Sequence, residues 1–375
     1  MRLALRELVR RPGRFVTATV ILTLIAVLLM FLGGLLDGLI RLSTGAVRAQ
    51  QADAIVYSEA SRSSFLRSRI EPDDRAAIEG ADGVDEVGGL GVVLLGARVP
   101  GNGPRDLANV AVWGYELPPD GVPEPPDTGE AHADDLLRAD GVEIGDELLI
   151  GPARTPITVV GWVTDTAYNG QGGLWTDLET WRNVLAENRP DAVLADGVVQ
   201  ALVVRGADDT DDVDEPIDLA ATIDAATEGR AFALTVDEAI DEIPGVTAQQ
   251  TTFNQILGVT VVIALVVISL FFALLTVERT ALYGVLKAIG ARSGTIFAGL
   301  VAQATVVTLV ASTVAGVLVV VLDLVIPPGS IPLYVSAGRI VLSIVLLLVA
   351  AVAGSAFSLR RVLRVDPASA LGSST

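Results

Sequence analysis

The residues best suited to binding chemistry form an acidic run in the middle of the chain. Six of the eight residues from 208 to 215 are Asp or Glu. Clustered carboxylates are the ligands that hard cations such as Ca²⁺ prefer. The run lacks the glycine and the terminal glutamate of an EF-hand loop. We therefore favour a solvated acidic loop over a calcium site, and we predict no metal site.

Catalytic side chains are scarce. A serine–histidine pair would depend on His132, the only histidine, which is predicted to lie in a solvated loop. The absence of cysteine excludes disulfides and cysteine-ligated metals. Lys287, the only lysine, is followed by Ala288, whereas a Walker A loop needs Ser or Thr after its lysine. We expect no enzyme active site and no cofactor in this chain.

Charge and hydrophobicity are segregated along the 375 residues. Hydrophobic residues make up 51% of the chain, yet its formal net charge is -19. Residues 37–255 hold 14 Arg and 41 Asp or Glu, while the flanking segments hold 12 basic and 4 acidic residues. An acidic middle between basic, apolar ends is typical of a membrane protein with one large extracytoplasmic domain. We expect no nucleic-acid partner.

Four apolar runs are long enough to cross a hydrocarbon core of about 30 Å. They are residues 15–36, 256–277, 295–326 and 340–357. The first exceeds the apolar core of about 7–15 residues in a cleaved signal peptide, so we interpret it as a retained span. A surface helix at 1–14 and a tail at 358–375 carry arginines that place both termini in the cytoplasm. The chain is thus predicted to be a multi-pass protein of a bacterial plasma membrane, in contact with lipid.

Residues 37–255 are predicted to form an α+β extracytoplasmic domain with helical stalks. The predicted strands include 53–58, 92–95, 108–113, 147–150, 157–163, 200–204 and 231–235. Two capping boxes, Thr176 with Glu179 and Thr247 with Gln250, predict the starts of two helices. The second of these helices continues into the second span.

Carboxylates near the outer ends of spans are candidate cargo contacts. Asp37 and Asp323 occupy such positions, where an ionisable group persists mainly when it is paired or hydrated. Either they extend into the headgroup layer, or they line a cavity and contact a cargo. Tyr57 is a third candidate cargo contact. The candidate oxygen ligands are Tyr57, Glu59, Tyr168 and Asp37. Arg339 also lies on the outer side, against the charge bias.

The segment 278–292, ERTALYGVLKAIGAR, joins the second and third spans on the cytoplasmic side. At helical spacing one apolar stripe is formed by Leu282, Val285, Leu286 and Ile289. The charged residues off this stripe include Glu278, Arg279 and Lys287. Gly290 is suited to end the helix. A short basic loop of the kind common in membrane proteins is the competing interpretation.

The chain resembles the MacB/FtsX-type (type VII) ABC transporter permeases. The likeness rests on one span, a large external domain and three further spans, and on Glu278-Arg279 with Leu286 to Ala291, which resemble the family's coupling helix. Residues 4–14 and Asp366-Pro367-Ala368 resemble its N-terminal surface helix and C-terminal tail. The start without a fused ATPase and Val56-Tyr57-Ser58 most resemble the DevC and HrtB-like haem-exporter branch.

The resemblance implies a homodimer of this chain with two copies of a separate LolD/MacB-like ATP-binding subunit, which holds ATP and Mg²⁺. That subunit would receive Glu278, Arg279, Leu282, Leu286, Lys287, Ile289 and Gly290. The implied function is ATP-driven export of a hydrophobic or amphiphilic cargo such as haem, lipid or drug. The alternatives are FtsX-like regulation of an extracellular cell-wall hydrolase, and a membrane-anchored receptor without an ATPase partner.

Overall fold

The computed structural model describes residues 12–103, 105–206, 218–278, 285, 289, 293–326 and 331–362. The chain divides into two units. The membrane unit comprises residues 1–38, 250–327 and 333–375, and the inserted domain comprises 39–249 and 328–332. The acidic run at 208–215 and the tail from 363 onward lie outside the described residues, as do residues 1–11 of the predicted surface helix.

The secondary structure alternates long helices with a sheet-rich middle. In chain order the helices are α1 (Pro12–Arg48), α2 (Pro72–Glu79), α3 (Leu178–Asn188), α4 (Leu219–Ala226), α5 (Val236–Asp241), α6 (Val246–Glu278), α7 (Ser293–Val325) and α8 (Ala337–Val362). The strands are β1 (Ala54–Ser58), β2 (Val84–Arg98), β3 (Leu107–Tyr115), β4 (Glu130–Asp134), β5 (Glu147–Ile150), β6 (Thr155–Val163), β7 (Gly172–Thr176), β8 (Ala201–Gly206) and β9 (Ala231–Leu234).

Four helices in the described part of the chain, α1, α6, α7 and α8, are long and apolar enough to cross a membrane. The domain inserted between α1 and α6 is mixed α and β, as the predicted fold class requires. Both flanking helices extend beyond the apolar runs, because α1 continues to Arg48 and α6 begins at Val246. We call residues 39–48 the first stalk and residues 246–249 the second stalk.

Small side chains let the helices of the membrane unit approach closely. Between these helices α7 buries Ala304, Ala311 and Ala315, and α8 buries Ala350 and Ala351. A Cβ at Gly354 on α8 would lie 2.9 Å from Ser269 Oγ and 3.0 Å from the Leu265 carbonyl oxygen of α6. Small residues at such contacts are typical of membrane helix packing.

The sheet of the inserted domain closes on itself. Its strand order in the described residues is β3-β7-β4-β6-β5-β2-β8-β1-β9, and β2 also pairs with β3. That extra pairing joins six strands into a ring from which β8, β1 and β9 extend. The 15-residue strand β2 makes this possible, because it pairs with β3, β5 and β8 along its length. Apolar side chains of β2, β3 and β7 fill the core.

The predicted starts of two helices, α3 and α6, need correction. The N-cap of α3 is Asp177, whose carboxylate accepts the Thr180 N–H at 3.0 Å, while Thr176 ends β7 and its hydroxyl donates to the Trp113 carbonyl. The Thr176 capping box is therefore wrong. Helix α6 begins at Val246, and Thr247 Oγ donates to the Asp241 carbonyl, so the Thr247 capping box is also wrong.

Candidate functional site

The predicted coupling segment is described at three residues. Glu278 ends α6, and the Ile289 N–H donates to the Val285 carbonyl at 3.1 Å, which is the spacing of one helical turn. The side chains of Val285 and Ile289 are 57% and 79% exposed. Arg279, Leu282, Leu286, Lys287 and Gly290 lie outside the described residues. The chain thus presents two apolar side chains, one turn apart, at its exposed surface.

Asp37 of α1 is bound by Arg339 of α8. Arg339 Nε donates to Asp37 Oδ2 at 2.9 Å, and its Nη2 donates to Oδ1. Both side chains are partly buried, with 22% of Asp37 and 20% of Arg339 exposed. A two-pronged contact between guanidinium and carboxylate fixes orientation as well as charge. The carboxylate that the sequence offered as a cargo contact is therefore engaged within the chain.

Glycines on α1 make room for this contact. A Cβ at Gly33 would lie 2.8 Å from Arg339 Cδ. A Cβ at Gly34 would lie 2.9 Å from Leu333 Cδ1 and 3.2 Å from the Tyr334 carbonyl oxygen, and the Tyr334 N–H donates to the Gly34 carbonyl at 3.0 Å. The segment that precedes α8 therefore lies directly against α1.

Asp323, the other membrane carboxylate, lies near the C-terminal end of α7 and is partly exposed. Its neighbours Leu324 and Val325 are 80% and 72% exposed. No ion pair joins Asp323 to another residue in the described part of the chain. Asp37 pairs with Arg339, and Asp323 does not share that arginine.

Tyr57 on β1 lies inside an aromatic cluster. Its ring is 5.0 Å from that of Phe65 and 6.0 Å from that of Phe232, and its side chain is 1% exposed. Burial, together with the nearby Tyr168, raises the pKa of Tyr57 well above its ordinary value. The phenol therefore stays protonated at neutral pH, which disfavours its use as an anionic metal ligand.

A pocket of the inserted domain opens beside this cluster. Its empty volume is about 480 Å³ including the open mouth. The apolar wall is formed by Tyr57, Phe65, Leu94, Tyr168, Ile243 and Pro244. Polar lining comes from Ser63, Ser64 and Asn169. Ser63 and Asn169 have φ angles of 57° and 51°, in the left-handed region that L-residues rarely adopt.

The first stalk is clamped to residues 165–170 of the same domain. The Ala46 N–H donates to the Ala167 carbonyl at 3.1 Å, and the Asn169 and Gly170 N–H groups donate to carbonyls of the stalk at 3.1 and 2.9 Å. Asp165 also pairs with Arg41 and Arg48, at 2.5 and 2.6 Å. This clamp carries Tyr168, so the first stalk fixes the position of one wall of the pocket.

His132 requires a correction, because it lies in strand β4 instead of a loop. It pairs with Trp175 of β7 and Gly161 of β6, and burial lowers its pKa below the ordinary value. No group of three or more His, Cys, Asp or Glu residues suited to a metal ion occurs in the part of the chain that the structure describes.

Sequence reasoning missed Asp165 and the partner of Asp37. The one sequence feature that pointed to the partner of Asp37 was Arg339 itself, a cation on the outer side where the charge bias disfavours one. Asp165 and the arginines of the stalk are more than a hundred positions apart, and no local pattern joins them.

Comparison with known proteins shows what the chain is similar to. Residues 254–367 match the model of the FtsX-like permease C-terminal domain. A protein of Staphylococcus epidermidis, provisionally named hemin transport system permease protein HrtB, is 21% identical over 99% of both chains. An uncharacterized ABC transporter permease of Mycobacterium tuberculosis is 28% identical over 98% of both chains.

Among solved structures, the chain aligns with the periplasmic region of MacB from Actinobacillus actinomycetemcomitans at a TM-score of 0.35 and 14% identity, covering 56% of this chain and 96% of that one. A TM-score this low does not support any conclusion about the function of this chain. The family match includes the segment between α6 and α7, and the similarity to the two permeases extends over nearly the whole sequence. Over nearly its whole length the chain is thus similar to ABC transporter permeases, among them the HrtB-named protein, and residues 254–367 match the FtsX-like permease C-terminal domain.

Proposed function

We propose that this chain couples ATP hydrolysis by a separate LolD/MacB-like subunit to movement of its inserted domain, and thereby exports or extracts a hydrophobic or amphiphilic cargo. Permeases of this type are multi-pass transport subunits of the cell membrane that work with an ATP-binding subunit. The observation that carries the proposal is the exposed apolar turn of Val285 and Ile289, inside the matched region 254–367. Exposed apolar side chains on a helix are suited to a groove on a partner.

The proposed orientation follows the charge distribution. Arginines at both ends and the basic segment 278–292 favour the cytoplasm, and the acidic inserted domain favours the outside. The ATP-binding subunit would then meet residues Glu278 to Gly290, including those outside the described residues. The permease itself would contribute no catalytic residue.

A homodimer is part of the proposal. One face of α6 carries an exposed apolar stripe that consists of Val259, Val262, Ile263, Val266, Leu270 and Leu274. Such a stripe is suited to lipid or to the same stripe on a second copy. We propose that the two copies share the membrane-spanning interface and that lipid covers the remaining apolar faces.

The cargo class rests on the relatives. Haem is the candidate that the name of the staphylococcal relative supplies, and lipid or drug molecules have the same amphiphilic character. Stimulation of the partner's ATPase by hemin in nanodiscs would support haem as cargo. Absence of stimulation by any amphiphile, with a cell-separation defect in a deletion strain, would favour regulation of an external hydrolase.

The test of coupling uses Ile289→Glu and Val285→Glu in the full chain, co-expressed with the ATP-binding subunit. Each change places a charge on the exposed apolar turn, so we expect loss of co-purification and at least a tenfold loss of stimulated ATPase activity. The matched control is Leu107→Glu, an exposed leucine of the inserted domain, which should leave both unchanged. Retained binding and stimulation in both coupling variants would contradict the proposal.

A further inference from the structure

The pocket of the inserted domain lies where both stalks enter that domain. Tyr168, in its wall, belongs to the segment that hydrogen-bonds to the first stalk. Ile243 and Pro244, which also line the pocket, lie in the segment that leads into the second stalk at Val246. A molecule in this pocket would therefore contact one segment that is bonded to the first stalk and another that leads into the second stalk.

The walls are suited to a flat, aromatic guest. The rings of Phe65 and Tyr57 meet edge to face at 5.0 Å, and those of Phe65 and Tyr168 meet at 6.2 Å and 90°. Such perpendicular rings present both faces and edges, which pack favourably against a further ring.

Two phenol groups supply hydrogen-bond donors. The hydroxyls of Tyr57 and Tyr168 make no hydrogen bond to another residue in the described part of the chain, although the side chains are only 1% and 7% exposed. Burial raises the pKa of Tyr168 to about 12, and burial together with the nearby Tyr168 raises the pKa of Tyr57 well above its ordinary value, so both remain protonated. Each phenol hydroxyl can donate one hydrogen bond, so an acceptor on a ligand in the pocket would pair with it.

The pocket offers no countercharge. Its described lining has Ser63, Ser64 and Asn169 as polar members and contains no charged side chain. A buried charge on the ligand would therefore be unpaired and unfavourable. From the rings, the donors and this neutrality we infer that the pocket binds a neutral, planar aromatic molecule that carries a hydrogen-bond acceptor, held by Tyr57 and Tyr168. Its role as a cargo contact rests on the proposed function, whereas its ability to bind does not.

The first stalk positions Tyr168 without touching the ligand. Gly45 allows the close contact, because a Cβ there would lie 2.6 Å from the Asp165 carbonyl oxygen and 2.9 Å from that of Ala167. Any larger residue at position 45 must separate the stalk from residues 165–170. Gly45 is therefore a positioning residue for the pocket, and its substitution should affect binding through the displacement of Tyr168.

The test is a titration of the full chain in nanodiscs with coumarin, a neutral planar aromatic lactone, with empty nanodiscs subtracted for partition into lipid. We expect saturable binding to the wild-type protein. Tyr57→Phe and Tyr168→Phe keep the rings and remove the donors, so each should raise Kd about 5- to 10-fold. Tyr115→Phe is the matched control, because the Tyr115 hydroxyl donates to the Pro123 carbonyl and does not line the pocket.

Two further variants, each with its own control, distinguish the effect of filling the pocket from the effect of displacing its wall. Ser64→Phe fills the pocket and should abolish saturable binding, while Ala220→Phe, on the exposed surface of α4, should not. Gly45→Ala should raise Kd several-fold, whereas Gly80→Ala, where the nearest atom to a new Cβ is 3.5 Å away, should leave it unchanged. Unchanged thermal unfolding in Tyr168→Phe and Ser64→Phe establishes that the losses are local.

Absence of saturable binding to the wild-type protein, or binding that Ser64→Phe leaves intact, would overturn the inference. Neither result concerns the ATP-binding subunit, whose association is measured separately through Ile289→Glu. Failure of the pocket and failure of the coupling proposal are thus distinguishable.

Discussion

Arg339 of α8 donates hydrogen bonds from Nε and Nη2 to both carboxylate oxygens of Asp37 on α1, across 302 positions of sequence. This contact explains an arginine on the predicted outer side, where the charge bias disfavours one. It also explains why an aspartate is tolerated near the end of a span, since each charge supplies the partner of the other. The pair joins the first and last membrane helices.

Removing one partner should leave the other charge partly buried and unpaired. We expect Asp37→Asn and Arg339→Gln each to lower the free energy of unfolding by about 2 kcal/mol, below the ~3–5 kcal/mol of fully buried pairs because both side chains are about one-fifth exposed. Thermal unfolding in nanodiscs provides the measurement. The double variant should cost less than the two single variants together, and Asp323→Asn is the control. Strict additivity of the two changes would contradict the pairing.

The close approach of the segment before α8 to α1 depends on Gly34. Gly34→Ala should lower the free energy of unfolding by about 1–3 kcal/mol, because the new Cβ would overlap Leu333 Cδ1 and the Tyr334 carbonyl. Gly316→Ala on α7 is the matched control, since the nearest atom, Ile340 Cγ2, is 3.7 Å from its Cβ position. Equal stability of the two variants in the same unfolding assay would refute the assigned contact.

His132 should make stability depend on pH in the acidic range. Burial lowers its folded pKa, although a hydrogen bond to the Glu124 carbonyl and the charge of Glu130 oppose this shift. The unfolded chain, with an ordinary histidine pKa near 6.5, therefore binds more protons than the folded chain just below that pH. Stability should fall as the pH drops below about 6.5 and recover above it.

His132→Gln isolates this effect, because His132 is the only histidine and carboxylates titrate in both proteins. The difference between the unfolding free energies of wild type and variant, measured by tryptophan fluorescence from pH 5 to 8, should decrease as the pH falls. A difference that is constant across this range would show that His132 titrates equally in both states.

Features set by local pattern were predicted from the sequence, and features set by distant contacts were not. Hydrophobicity over long windows predicted the four long helices, and the alternation of Glu147 to Ile150 predicted β5. Strands β4 and β7 were missed because EAHAD and GGLWT contain few β-branched residues. They are strands because neighbouring strands in the closed ring supply their hydrogen bonds.

The candidate sites show the same division. Spacing alone predicted an apolar stripe that includes Val285 and Ile289, and both side chains are exposed. Tyr57 was noted in the sequence for its oxygen, but its burial depends on Phe65 and Phe232, which are brought to it by the fold. The pocket depends on the clamp between the first stalk and Asp165, which no helical or strand period encodes.

The proposed function requires that the segment 278–292 convert ATP hydrolysis by a partner into movement of the inserted domain. Because the chain has no cysteine, Ala220→Cys on exposed α4 places a single spin label on each copy of a homodimer. We expect the label-to-label distance in nanodiscs with the ATP-binding subunit to change by several ångströms on addition of ATP and vanadate, and we expect Ile289→Glu to abolish the change. A distance unaltered by nucleotide, in a complex that remains assembled and hydrolyses ATP, would show that ATP hydrolysis does not move the inserted domain.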